Sequence, residues 1–274
     1  MDWSEARARL AAPMFAPLHA VLARLPRDRW PTHEDLSEAA RGIETAAGKP
    51  LRFVPPARQG EGERRAYEEA IASTGEVATR PANWHDLFNA LAWLAYPRTK
   101  ARINAQHVAI LEDGGPEEAL RRGPERDALT LFDEGGAIVA SSSPRLLRLA
   151  ADREWKELFW HRRAEHAGTI AFFAFGHALC EKGLAPYLGM VAKCVFLPVD
   201  ELFFVLPVEA QVARVDAAAA AHFANRMRFA SPRAMPPLPV LGIPGWHPDT
   251  ARESFYDDAR YFQGLPPDAT PPSA

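Results

Sequence analysis

Three histidines in this chain stand near carboxylates, amides or a lysine at spacings that a helix turns into contacts. His85 precedes Asp86 and lies one turn from Asn89 in Asn83–Tyr96 (NWHDLFNALAWLAY). His107 follows Lys100 and Asn104 on what reads as the next helix, and His177 and Glu181 are four apart in GHALCEK, on one helix face. A neutral imidazole beside a carboxylate can ligate a divalent cation, or act as a base held by its orienting partner. His85, Asp86, His107, His177 and Glu181 are therefore the candidate ligands of a Zn, Mn or Fe ion, which would supply a water nucleophile at neutral pH. Lys100, Asn104 and Asp133 are the candidate catalytic groups, and Asn89, Arg98 and Arg126 the candidate contacts to substrate. The reaction this set suits best is hydrolysis of a small anionic, phosphoester-like molecule; a metal-free variant would use a His–carboxylate dyad for acid–base work.

The same residues also suit a protein that performs no reaction. A satisfied polar network fixes helix packing, and a non-catalytic binding or assembly protein would need nothing more. Asp133 and Glu134 immediately precede Gly135-Gly136, as acids in a tight turn do. Arg126 with Asp127 suits a surface pair at the start of a strand.

The elements that must position these groups follow from periodicity. Trp84, Leu87, Phe88, Leu91, Leu94 and Ala95 form the stripe of a core-facing helix. Trp93 and Tyr96 fall on its other side, among His85, Asp86 and Asn89, which predicts a helix buried all round whose polar groups need partners. Pro97 ends that helix and opens a second one, Arg98 to Leu111. A hairpin of the two would bring His85, Asp86, Asn89, Lys100, Asn104 and His107 to one pocket.

Before this pair, two short helices are expected within Ser4–Leu25, a helix capped by Thr32 and Asp35 running to about Ala46, an extended Pro50–Val54 and a helix Glu63–Ser73. After it, Asp113–Glu125 reads as an exposed loop, and Asp127–Phe132 with Ala137–Ala140 as a hairpin on the Gly-Gly turn. Helices Pro144–Ala150 and Asp152–Arg162 follow. Thr169–Phe175 reads as a buried strand running into a helix that Gly183 ends. Val191–Val199 and Leu202–Val208 read as strands, and Glu209–Met227 as an Ala-rich helix. This order predicts a helix-rich α+β single domain with a small, mainly antiparallel sheet. Of 25 prolines, ten fall in Pro232–Pro272. Residues 231–274 are thus expected as an extended tail that wraps the domain of residues 1–230 through Trp246, Phe255, Tyr256, Tyr261 and Phe262, with a flexible end.

Composition narrows the function classes. A formal charge of −3 over 274 residues gives no field to collect nucleic acid or an anionic membrane. The most apolar stretch, Cys194–Val208, is interrupted by Pro198, Asp200, Glu201 and Pro207, which excludes a spanning helix. The opening MDWSE carries acids where a secretory signal carries bases, and two cysteines without CxxC spacing fit a reducing compartment, so a cytoplasmic protein acting on a small molecule is expected. There is no G-x-S-x-G elbow and no glycine-rich phosphate loop.

Four stretches carry a resemblance: Thr79–His107 (TRPANWHDLFNALAWLAYPRTKARINAQH), Arg126–Gly136 (RDALTLFDEGG), Gly176–Lys182 (GHALCEK) and Gly242–Trp246 (GIPGW). In their order and over most of the chain, they resemble a bacterial family of uncharacterised proteins, domain-of-unknown-function family 3025. The resemblance implies no reaction. It implies that the residues singled out above lie in the family's signature stretches, together with Gly242, Gly245 and Trp246.

Overall fold

The computed structural model describes residues 3–56, 63–120 and 123–265. Short helices α1 (Trp3–Arg9) and α2 (His19–Leu22) flank a 3-10 turn, Pro13–Leu18, that contains Pro13 and Pro17. Helix α3 (His33–Ala39) starts on a reciprocal cap between Thr32 and Asp35, and ends about two turns before the predicted Ala46. Strand β1 (Arg52–Val54) pairs in parallel with β2 (Glu76–Ala78) across α4 (Glu63–Thr74).

The two central helices are those the sequence predicts. In α5 (Trp84–Ala95), every residue from Leu87 to Ala95 is buried, including Asn89 and Trp93. Asn83 caps it, its Oδ1 accepting from the Asp86 backbone N–H at 3.0 Å. Helix α6 (Pro97–Leu120) begins at Pro97, and the buried Asp216 caps it by accepting from the N–H groups of Arg98 (3.0 Å) and Thr99 (2.8 Å). The predicted loop at Asp113–Glu125 is instead largely helix. Gly114, Gly115 and Pro116 oppose a helix there, but once the packed first half of α6 is formed the good helix formers Glu117 to Leu120 extend it beyond them. Residues 121–122 of that segment lie outside the described residues.

The predicted hairpin is also corrected. Asp127–Phe132 belongs to α7 (Pro124–Gly135), which has Pro124 in its first turn and buries Ala128, Leu129 and Phe132 at helical spacing. Over so few residues the apolar positions fit either period, and the helix wins because it lays all three against the core. No turn follows: Gly135-Gly136 passes straight from α7 into β3 (Gly136–Ser141), whose six residues are all buried. Helix α8 (Pro144–Ala151) and a π-helical segment, Glu157–His161, lead to β4 (Ile170–Ala174) and then directly to α9 (His177–Gly183).

Beyond α9, β5 (Val191–Pro198) is the predicted strand, but Leu202–Val208 is not one. Asp200 caps a 3-10 helix, Glu201–Val205, through the Phe203 N–H, and α10 (Val208–His222) follows. The tail adds β6 (Pro237–Pro239) to the sheet. Strand order is β4-β3-β5-β6, antiparallel except for the central β3–β5 pair. Helices α7, α8 and α10 pack on this sheet, and α5 packs on α9.

Tail aromatics are fixed by hydrogen bonds as well as by burial, to the body at Met190 and within the tail at Leu241 and Gly242. The Tyr261 hydroxyl donates to the Met190 carbonyl at 2.8 Å and accepts from the Leu241 N–H, and the Tyr256 hydroxyl donates to the Gly242 carbonyl. Gly242 is required there, since a Cβ would stand 2.5 Å from the Phe262 ring. Residues 266–274, including the end expected to be flexible, lie outside the described residues. No helix among the described residues is long and apolar enough to cross a membrane.

Candidate metal centre

Two chain crossings decide what meets at the head of the sheet. Gly136 opens β3 and Gly176 closes the β4–α9 connection, and the N–H groups of Phe175 and Gly176 both donate to the Gly136 carbonyl, at 3.1 and 2.9 Å. The approach is so close that a Cβ on Gly176 would lie 2.4 Å from the Gly136 nitrogen and 2.5 Å from the Glu134 carbonyl. The last turn of α7, carrying Asp133 and Glu134, is thereby pressed against the first residue of α9, His177. Packing of α5 on α9 adds His85, whose ring centroid is 4.6 Å from that of His177, edge to face.

Glu134 Oε2 lies 3.5 Å from His85 Nε2 and 3.5 Å from His177 Nε2, and the three donors fall within 4.8 Å of one another. Good N–H···O hydrogen bonds span roughly 2.7–3.2 Å, so neither contact is one. Ligand atoms on a tetrahedral ion with bonds of roughly 2.1 Å stand about 3.4 Å apart. The two Nε2–Oε2 separations therefore match an ion between the donors better than direct contact.

Behind each imidazole stands a carboxylate, itself held by a cation. His85 Nδ1 is 3.2 Å from Asp86 Oδ1, and Arg80 grips Asp86 through Nε (2.8 Å), Nη2 (2.7 Å) and its backbone N–H (2.7 Å). His177 Nδ1 is 3.7 Å from Asp133 Oδ2, has no hydrogen bond, and is buried. Asp133 Oδ1 accepts from Lys100 Nζ at 2.5 Å, Lys100 donates also to Asn89 Oδ1 at 2.9 Å, and Asn89 Nδ2 donates to the Tyr67 hydroxyl at 3.0 Å. The Lys100 ammonium stands over Trp93, 5.5 Å from the ring centroid.

These contacts move the protonation equilibria apart. Asp86 and then Glu134 push the His85 pKa up to about 9. Burial lowers His177, against the pull of Asp133. Burial would raise Asp133, but Lys100, His177 and His107 together keep it below the usual carboxylate range. Glu134 is lowered chiefly by His85, and Asp86 is lowered despite its burial because Arg80 and His85 hydrogen bond to it.

The donors open on a cleft of about 510 Å³, the size of a small-molecule site. Of the predicted residues, His85, Asp86, Asn89, His107, Arg126, Asp133 and His177 line it. Lys100 and Asn104 lie buried beneath, hydrogen bonded to its walls. Two of the predicted residues lie away from the cleft. Arg98 lines a separate hollow beside Pro17 and Glu209, because α6 turns its first residues toward α10. Glu181, a turn beyond His177, stands near Arg80 and is not among the three gathered donors.

Glu134 takes the place assigned to Glu181, and its sequence signal, an acid before Gly-Gly, points equally to a turn. Tyr67, Glu68 and Arg80 were not singled out; each lies on a segment with no polar pattern of its own. His107 lines the cleft without joining the donor set.

The chain belongs to the family described as protein of unknown function (DUF3025), whose model matches residues 51–265. That span holds every residue of the cleft and omits α1, α2 and α3. No curated protein and no solved structure matches the chain.

Proposed function

We propose that this protein is a divalent-metal-dependent hydrolase of a small anionic substrate such as a phosphoester, holding one ion of zinc, manganese or iron through His85 Nε2, His177 Nε2 and the Glu134 carboxylate. The observation that carries this reading is the orientation of the two rings. Both aim Nε2 at one carboxylate oxygen from 3.5 Å, and both have a carboxylate behind Nδ1. Metal-bound histidines usually have such a carboxylate behind them, which fixes the tautomer and raises ligand basicity. Three protein donors beside a cleft leave a coordination position for water or substrate, as catalytic ions require.

An ion there would lower the pKa of its bound water and polarise the scissile group. The protein's own residues do the rest. Asp86 holds the His85 imidazole and Asp133 stands behind that of His177, Arg80 and Lys100 keep those two acids charged, and Arg126 offers positive charge to an anion farther along the wall. We place this activity in the cytoplasm of a bacterium; the two buried, unpaired thiols Cys180 and Cys194 are consistent with a reducing compartment.

A second reading has its own support. The chain Tyr67–Asn89–Lys100–Asp133 is complete without any ligand, as the structural core of a binding or assembly protein would be. Elemental analysis of the purified full chain separates the two, alongside a folded His85→Ala, His177→Ala double variant. Near-stoichiometric metal in the parent, lost in the variant, supports the hydrolase and directs a screen of phosphoesters and amides. No metal after reconstitution leaves the binding role.

A further inference from the structure

Four acids line the cleft, and three of them face a positive or protonatable group within 4 Å: Asp86 faces Arg80, Asp133 faces Lys100, and Glu134 faces the two histidines. Glu68, on α4, is different. No lysine, arginine or histidine among the described residues comes within 4 Å of it; what holds it is the neutral amide of Asn104. That amide donates to the Glu68 carbonyl at 2.9 Å and to Oε2 at 2.7 Å, so the residue is clamped at both ends. Asn104 is itself buried and cannot swing away. The other oxygen, Oε1, makes no hydrogen bond to a described residue, and the residue lines the cleft. A carboxyl fixed by a neutral donor, with one oxygen left over in a ligand-sized space, is placed to exchange a proton with whatever enters.

Resting on the hydrolase reading above, we propose that Glu68 is the proton-transfer residue of this site. As a water O–H bond breaks and its oxygen attacks the scissile centre, Glu68 takes the proton. As the bond to the leaving group breaks, Glu68 returns that proton to the departing oxygen or nitrogen. Water is consumed, Glu68 is restored, and no other reactant is required. Its ionisation suits both halves of the cycle: burial, against the Asn104 hydrogen bond and with help from the charge of Asp133, pushes the carboxyl up to about 7. An acid–base group works best with a pKa near the operating pH.

The test uses the full chain loaded with metal, with p-nitrophenyl acetate and bis(p-nitrophenyl) phosphate as probes, comparing the parent with Glu68→Gln and Glu68→Asp. Expected for Glu68→Gln is unchanged metal content, a rate lower on the order of 10²-fold, and loss of the kcat/KM inflexion near neutral pH, with partial recovery in Glu68→Asp. Infrared difference titration of the parent provides a readout independent of turnover and of variant folding. It should show a carboxyl losing its proton near pH 7, and absence of that band overturns the proposal. An unchanged rate and pH profile in metal-loaded Glu68→Gln also overturns it while leaving the hydrolase reading intact. A parent that binds no metal, or that is no faster than its metal-stripped form, overturns the hydrolase reading itself.

Discussion

On the floor of the cleft, Lys100 Nζ lies 2.5 Å from Asp133 and 2.9 Å from Asn89, whereas at the head of the sheet His85 and His177 stop 3.5 Å short of Glu134. Both regions are made of polar side chains around one cleft, packed a few ångströms apart. The floor is closed: the Lys100 ammonium reaches both Asp133 and Asn89 at hydrogen-bond distance and is buried. The head is open: its donors point at a common place without touching. A closed network specifies packing, whereas donors that converge without touching suit a ligand, and in this protein the two arrangements adjoin at Asp133.

Breaking the floor should have the largest effect. Lys100→Met leaves the Asp133 carboxylate without its cation in a buried setting. Loss of one partner from such a pair typically costs about 3–5 kcal/mol, to be read as a lower denaturant midpoint at pH 7 without metal. Breaking the head should do the reverse. Glu134→Ala should leave the midpoint of the metal-free protein within about 1 kcal/mol of the parent and abolish stoichiometric metal binding, measured by dialysis and elemental analysis. If both variants unfold alike and neither changes metal content, the contrast between the two regions is wrong.

A smaller change sharpens the comparison. Asp86→Asn keeps the shape behind His85 and removes the charge, and should weaken metal affinity by about 10–100-fold in a competition titration. The last effect is a slope. The folded pKa of Glu68, about 7, lies above the ordinary value of 4.5. The folded state therefore binds more protons than the unfolded chain in that window, so the contribution of Glu68 to stability is full below about pH 4.5 and lost as pH rises through about 7. Thermal unfolding of the metal-free protein across pH 4.5–7 should show this loss in the parent and a flatter profile in Glu68→Gln.

How much of this could be read from the chain depends on how each residue announces itself. The α5–α6 pair was legible because aromatics on both sides of α5 left its polar residues nowhere to go but inward, and Pro97 marks its end. Helix α7 was not: Leu129 and Leu131, or Ala128 and Phe132, fit a two-residue period over so short a span while Ala128, Leu129 and Phe132 fit one of 3.6, and the Gly-Gly pair looks like a turn although it passes straight from helix to strand. That misreading hid Glu134, because an acid before two glycines has a ready explanation on a hairpin. Glu68 had no signal, since its partner Asn104 is 36 positions away and only packing of α4 on α6 brings them together. Arg98 was misplaced for the complementary reason: nothing local shows that α6 begins under Asp216.

The crossing of Gly136 and Gly176 also bears on how the protein would acquire the ion proposed above. Glu134 and His177 are brought to a common oxygen-to-nitrogen spacing by main-chain contacts between the start of β3 and the end of β4, strands held in antiparallel register. Glu134 and His177 are far apart along the contour of an unfolded chain, and on the proposed reading a cation would bind after the strands have paired. It would then act by mass action on the finished fold, raising the unfolding midpoint with the logarithm of its concentration. Metal uptake in a refolding experiment should accordingly lag strand formation, so that bound metal serves as a clock for completion of the sheet.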